Sequence, residues 1–553
     1  MSLLKFDDFK IGFLTTLLGL AQFVTIPMYF FNSKNNVDVI IYLGVILLIY
    51  MPILILEVFM GQSKQLGYIK FWDICPLFKG VGYAMVFEGV FNIIIMTTIS
   101  SWSMNYIISL FIFNMFPYTC ENSWNTPNCQ KYRQSSVHEQ FFKYFILEMN
   151  PNEREMSFSI YNKKSLYCLG FINAFVLFLI YRGIKRLNLP LWLMTCTNIF
   201  ISALLMMIAA FDDFTFDHIK FEMNFSKSFT MNNIYRLLCI GSLSLTLGGG
   251  LHLSISSYLT RTWNSIKLLV YGTLFKFILI FFSTIGTFFS LRKFDEKWTD
   301  NTEFYDIYIG FTNSLSHRPL PQLYIFGFHL LILLSCLTKI CLTYEAITKG
   351  FYEEFEEYFT SISLSRTTIS ICIVSACSLL TTSLMKEGGY FAVHYYYDTV
   401  YLAIFSTIKF FEISALLWIY GIQIILSDLA GYVTIQVPAL FLLSIKYLSP
   451  LIMLGLVYLS FQQVLNPIVY LGIDAYTAPE QFILALNTLK CIPLFIILAY
   501  AVGLSVYYYM KESRIKRTIA LLITPVNEHN YVTDAGICRR TYLNHYLKIP
   551  TVN

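Results

Sequence analysis

Twelve long apolar runs, each bounded by charged or turn-forming residues, limit what this chain can fold into. They cover approximately Ile11–Phe31, Val39–Met60, Gly82–Phe116, Leu166–Arg182, Leu189–Phe211 and Ile234–Leu259. The second half continues with Ile266–Leu291, Leu323–Tyr352, Thr367–Met385, Tyr395–Ser427, Ile435–Phe461 and Phe482–Met510. Such lengths suit the ~20 residues that an α-helix needs to cross a bilayer. In lipid every backbone polar group must be bonded within the segment, so the runs are expected to be helices. Of 553 residues, 56% are hydrophobic and 13% are charged, about half the roughly 25% charge of a soluble domain. This excludes a soluble enzyme, a disordered scaffold and a nucleic-acid binder. The net charge of +5 is scattered and too small to hold a polyanion. The partner this sequence demands is a lipid bilayer, and the fold class it predicts is an all-α polytopic membrane protein of twelve spans.

Lysines and arginines of the short loops give the orientation. Lys64, Lys70 and Lys79 follow the second span, Arg182, Lys185 and Arg186 the fourth, Arg261 and Lys267 flank the loop after the sixth, and Lys511, Arg514, Lys516 and Arg517 follow the twelfth. All fall on one side with both termini, which predicts cytoplasmic tails at 1–10 and 511–553 and a plasma-membrane protein. Glu353, Glu354, Glu356 and Glu357 put an acidic run on that same side. The opposite side receives the long loop 117–165, which holds Cys120 and Cys129, and the one N-x-[ST] glycosylation sequon, Asn224-Phe-Ser. Two cysteines so close in a turn-rich loop on an oxidising side are disulfide candidates, with two free thiols as the alternative.

Two spans carry helix breakers at membrane depth. The sixth contains Gly248-Gly-Gly250, and the first reads Gly19-Leu-Ala-Gln-Phe-Val-Thr-Ile-Pro27. Non-helical backbone is tolerated there only where it is buried in protein or lines a cavity. Breaks five spans apart suggest two five-helix repeats of inverted topology, about 11–211 and 234–427, with spans eleven and twelve at 435–510 appended. A binding site is then expected between the breaks, where free N–H and C=O groups can meet a ligand.

Short motifs in the right order resemble the neurotransmitter:sodium symporter family, the sodium- and chloride-dependent transporters. They are Leu56-Glu-Val-Phe-Met-Gly-Gln62, Trp72-Asp-Ile-Cys-Pro-Leu-Phe-Lys-Gly-Val-Gly-Tyr83, Trp124-Asn-Thr-Pro-Asn-Cys129, Glu345-Ala-Ile-Thr, Trp418-Ile-Tyr-Gly421 and Ser449-Pro-Leu-Ile452. The resemblance implies a LeuT-type 5+5 fold with broken helices 1 and 6, and alternating access around a small-molecule substrate. It maps substrate contacts onto Thr16, Gln22, Met96, Ser244, Thr246, Gly248, Gly249 and Gly250, and ion positions onto Thr15, Leu18, Ser335, Thr338, Lys339, Tyr42 and Ser244.

The match is poorest where coupling should reside. Gln22 replaces a sodium-ligand asparagine, Val270 a second one, and Thr25 the outer-gate arginine. Tyr397 falls where the gate's aspartate is expected, with Asp398 one step out of phase, and the arginine–tryptophan gate before span one is missing. The chloride site keeps Tyr42 and Ser244 but offers Ile240 and Leu274 in place of polar ligands. Sodium is thus the ion the resemblance implies, and chloride is poorly supported. Lys339 aligns with a serine of the second sodium site, where an ammonium would repel a cation ~4 Å away by about 4 kcal/mol at an effective dielectric of 20. It reads either as a tethered replacement for that ion or as a vestibule lysine paired with a carboxylate such as Glu88. Glu57 and Glu412 are intramembrane acids matching family glutamates, read as structural or as sharing a proton; Lys276 and His252 have no usable counterpart.

Thr16, Gln22, Ser244 and Thr246 predict a mildly polar, uncharged pocket. A small neutral or zwitterionic solute fits it, and an amino acid or related amine leads by family resemblance alone. The expected function is secondary active transport. The alternative is a transport-inactive descendant acting as a sensor or as a partner of another membrane protein. No nucleophile–base or metal constellation suggests an enzyme or a cofactor.

Overall fold

The structure is a computed structural model and describes the chain except residues 1, 18, 112–119, 128, 130–136, 150–160, 182, 212–222, 262, 292–305, 317–319, 387, 427–438, 466–479, 513–514 and 527–553. Helices carry nearly all of what is described. Apart from several short helical turns, in chain order they are α1 (Ser2–Leu17), α2 (Thr25–Ser33), α3 (Asn36–Lys64), α4 (Lys79–Phe111), α5 (Lys163–Ile180), α6 (Ile184–Phe211) and α7 (Met231–Leu245). There follow α8 (Leu251–Ser256), α9 (Ser265–Leu291), α10 (Pro321–Glu354), α11 (Arg366–Thr382), α12 (Tyr401–Leu426), α13 (Phe441–Gln462), α14 (Glu480–Glu512) and α15 (Ile515–Ile523).

Nine helices among the described residues are long and apolar enough to cross a bilayer. The shorter apolar α11 and the pairs α1/α2 and α7/α8 occupy the remaining predicted spans. The segment expected as an N-terminal tail is helical from Ser2 and continues without interruption to Leu17.

The two long helices α4 and α10 lie against each other and form the buried centre. Around them, α8 packs on α3, while α1 and α2 both pack on α9. Peripheral helices turn large apolar side chains outward, such as Phe178, Phe281, Leu451 and Phe495. That pattern suits lipid rather than water as the surrounding medium.

Candidate substrate and ion site

Each broken span stops for a readable reason. α7 ends at Leu245 with Thr246 in the left-handed region (φ 52°), and the N–H groups of Thr246 and Leu247 close back on the carbonyls of Leu243 and Ser242. Glycine usually fills this helix-ending position. A β-branched threonine there is strained, and such strain clusters at functional sites. Gly249 and Gly250 continue with positive φ before α8 restarts at Leu251. His252 reaches back so that its Nε2 lies 2.8 Å from the Leu245 carbonyl, which satisfies a group the interruption leaves open. In the first span α2 resumes at Thr25, with Pro27 in its opening turn, where a missing N–H is tolerated.

The two breaks touch. Gly19 has φ 99°, and a Cβ there would lie 2.6 Å from Thr246 Cγ2. On the other side, Glu88 of α4 presses its carboxylate on the second break: a Cβ on Gly248 would stand 2.5 Å from Oε1, and one on Gly249 would strike Oε2. Asn92, one turn along α4, donates to Glu88 Oε1 at 3.1 Å. Glu88, Asn92, Thr246, Gly248, Gly249 and Lys339 line one cavity of about 10 Å³, room for about one water. The site is closed around its own side chains.

Of the expected substrate positions, Thr246, Gly248 and Gly249 line this cavity, and the others have their own neighbours in the interior. Thr16, Gln22, Met96, Ser244 and Thr246 are all buried. The Thr16 hydroxyl donates to Phe13 O, and Tyr42 donates to Ser244 at 2.8 Å. Tyr397 meets Met96, its hydroxyl 3.8 Å from the sulfur, so two positions mapped to gate and substrate contacts pack on each other. Among the ion positions, Ser335 accepts from Asn198 at 3.1 Å and Thr338 donates to Leu334 O. Leu18 and the side chain of Thr15 lie outside the described residues, as does the side chain of Asp398.

One part of the mapped register is corrected. Val270 and Leu274 are 41% and 53% exposed on the outer face of α9, so neither faces an ion site. The inward positions are Thr273, Lys276 and Gly272, whose missing side chain leaves room for Thr16.

Charged groups missed or left unassigned at the sequence level complete the interior. Lys409 of α12 bonds Glu57 of α3 and lies 2.7 Å from Glu412, all three at most 1% exposed. A lysine three residues before Glu412, in an apolar span, was the available signal. At one end of the bundle, Arg366 and Tyr258 both bond Glu345 Oε1, at 2.5 and 2.8 Å, and Lys349 bonds Ser257 and pairs with Glu353 at 3.5 Å. The acidic run therefore has partners: Glu353 also accepts the Gly67 N–H, and Glu354 pairs with Lys79 at 2.7 Å. In the long loop Cys120 and Cys129 form a disulfide, and Trp124 meets Phe141 edge-on and Phe145 at a tilt. Asn224 caps a short helical turn by accepting from Lys227 N–H.

Comparison with known proteins agrees with this geometry. The family model described as the sodium:neurotransmitter symporter family matches residues 7–502. The sodium-dependent dopamine transporter of Bos taurus is 21% identical over 96% of this chain and 78% of that protein. The crystal structure of MhsT in complex with L-phenylalanine superposes with a TM-score of 0.64 at 15% identity, over 82% of this chain and 98% of that one, which assigns the LeuT-type fold. This is an integral membrane transport protein and not an enzyme, and the chain belongs to the sodium:neurotransmitter symporter family.

Proposed function

We propose that this protein is a secondary active transporter that carries a small neutral or zwitterionic organic solute, of amino-acid or related amine type, by alternating access. The contact between the breaks, Gly19 against Thr246, carries the proposal. Two unwound segments there leave backbone groups that a zwitterion's ammonium and carboxylate can use. Thr16, Gln22, Met96, Ser244, Thr246 and Gly248 to Gly250 are its proposed contacts, and spans one to five and six to ten its two inverted repeats. The basic end of the bundle faces the cytoplasm together with both termini, and Asn224 carries a glycan on the other side. The Arg366–Glu345–Tyr258 and Lys349–Ser257 contacts hold the cytoplasmic side shut.

The ion sites are altered. Lys339 stands for the second sodium as a tethered cation, and its cavity partner Glu88 supplies the compensating charge. The Tyr42–Ser244 pair is what is left of the chloride site. Reconstitution into proteoliposomes with a panel of radiolabelled amino acids and amines, with and without a sodium gradient, tests both parts. Uptake in sodium-free medium is expected. Uptake abolished without sodium removes the Lys339 substitution, and a correctly folded protein that moves nothing in the panel favours the sensor reading.

A further inference from the structure

Among the described residues, the ionisable side chains buried within the spans include Glu57, Glu88 and Glu412, and Lys276, Lys339, Lys409 and Lys490, none more than 5% exposed. Charges at that depth are costly and are held by partners. Lys409 is held by Glu57 and Glu412, and Lys339 shares its cavity with Glu88. Lys276 is held differently. Its ammonium donates to the main-chain carbonyl of Thr16 at 2.9 Å, in the last turn of α1.

The end of a helix offers unbonded carbonyls and a partial negative charge, and a cation there is stabilised by both. The groove that brings Lys276 to this point is built for it. Gly272, one turn earlier on α9, has no side chain, and a Cβ there would stand 2.5 Å from Thr16 Oγ1. One turn before Thr16 on α1, Gly12 lies against Leu268 and Trp263 in the same way. Small residues thus let α1 close on α9, and Lys276 caps the carbonyl end that the break exposes.

We propose that Lys276 is a built-in cation for the broken first helix, doing at the α1 terminus what a bound alkali ion would do, so that the resting fold of this protein neither needs nor binds sodium. Lys276 and Lys339 are both buried in the interior of the bundle. A further mobile cation beside Lys276 and Lys339 would meet two like charges in a low-dielectric interior, where such repulsion is strong. The consequence for coupling rests on the transporter reading above; the binding claim does not.

The test measures ion binding rather than flux. Protein in lipid nanodiscs is heated in sodium, potassium or N-methylglucamine chloride at about 0.15 M ionic strength, with tryptophan emission as the readout. The same midpoint in all three salts is expected. A sodium-specific rise of about 2 °C or more, as ligand binding to the native state would give, overturns the proposal. Lys276→Met is expected to lower the midpoint, with part of the loss restored by methylammonium and none by tetramethylammonium, which cannot donate a hydrogen bond. A Lys276→Met midpoint equal to wild type, or one that methylammonium fails to raise, also overturns it. Should that variant not accumulate, Lys276→Arg is compared instead, with a midpoint above that of Lys276→Gln expected and equality refuting. A protein that transports nothing leaves these results standing.

Discussion

Replacing Lys409 by methionine removes the ammonium between Glu57 and Glu412 while keeping the length of the side chain. At 2.7 Å the Lys409–Glu412 attraction amounts to about 6 kcal/mol at an effective dielectric of 20. Much of that offsets the cost of burying both ions, and removing one partner of a buried pair costs about 3–5 kcal/mol in measured cases. Here two carboxylates are left at most 1% exposed. They can escape by taking up protons, which for a carboxyl of ordinary pKa near 4.3 costs about 3.7 kcal/mol at pH 7. The expected loss is therefore about 4 kcal/mol if one carboxylate must be neutralised and about 7 kcal/mol if both are. The sign of the pH effect follows. The variant's folded state binds more protons than its unfolded state, so its stability rises as pH falls. Thermal midpoints of purified wild type, Lys409→Met and the neutral triple variant Glu57→Gln/Lys409→Met/Glu412→Gln, measured from pH 5 to 8, check this. The single variant is expected to be the least stable at pH 7, to recover toward pH 5, and to be rescued by the triple. A single variant as stable as wild type at pH 7, or with no recovery on acidification, would mean that Lys409 does not hold the two carboxylates charged.

Other outcomes follow from the same geometry. Gly249→Ala places a methyl against the Glu88 carboxylate at a left-handed position, which costs about 1–2 kcal/mol in backbone strain alone; a lowered midpoint and lost transport are expected together. Glu345→Gln weakens the junction of Arg366 and Tyr258; a cysteine placed at Ala346, on the cavity wall, is then expected to react faster with maleimide added from the cytoplasmic side. Cys120 and Cys129 are expected to resist maleimide until reduced, and Cys120→Ser/Cys129→Ser to lose about 3 kcal/mol by the chain-entropy estimate for so short a loop. Asn224→Gln is expected to abolish a glycosidase-sensitive shift in electrophoretic mobility.

The breaks were legible because Gly248 to Gly250 and Pro27 interrupt spans that are otherwise apolar, and membrane interiors punish such interruptions unless they serve a cavity. The disulfide was legible because Cys120 and Cys129 are close along the chain. The facing of α9 was not. Lipid and protein core are both apolar, so Val270 and Leu274 look as fit for the interior as for the exterior, and a register taken from short motifs went astray by about half a turn. Lys276 was the better marker, since an ammonium is retained at that depth only where it has a partner. The Lys409 bridge was hidden for another reason: Glu57 lies 352 residues away in sequence, and no local pattern links them.

In the proposed mechanism two interrupted helices meet in the middle of the bilayer and form the site between them. A cryo-electron microscopy map of the protein in nanodiscs, at side-chain resolution, tests it most directly. Non-helical density is expected after Leu17 and again after Leu245, with Gly19 against Thr246 and the Glu88 carboxylate against Gly248. Continuous helices through both regions, packed without that contact, would contradict it.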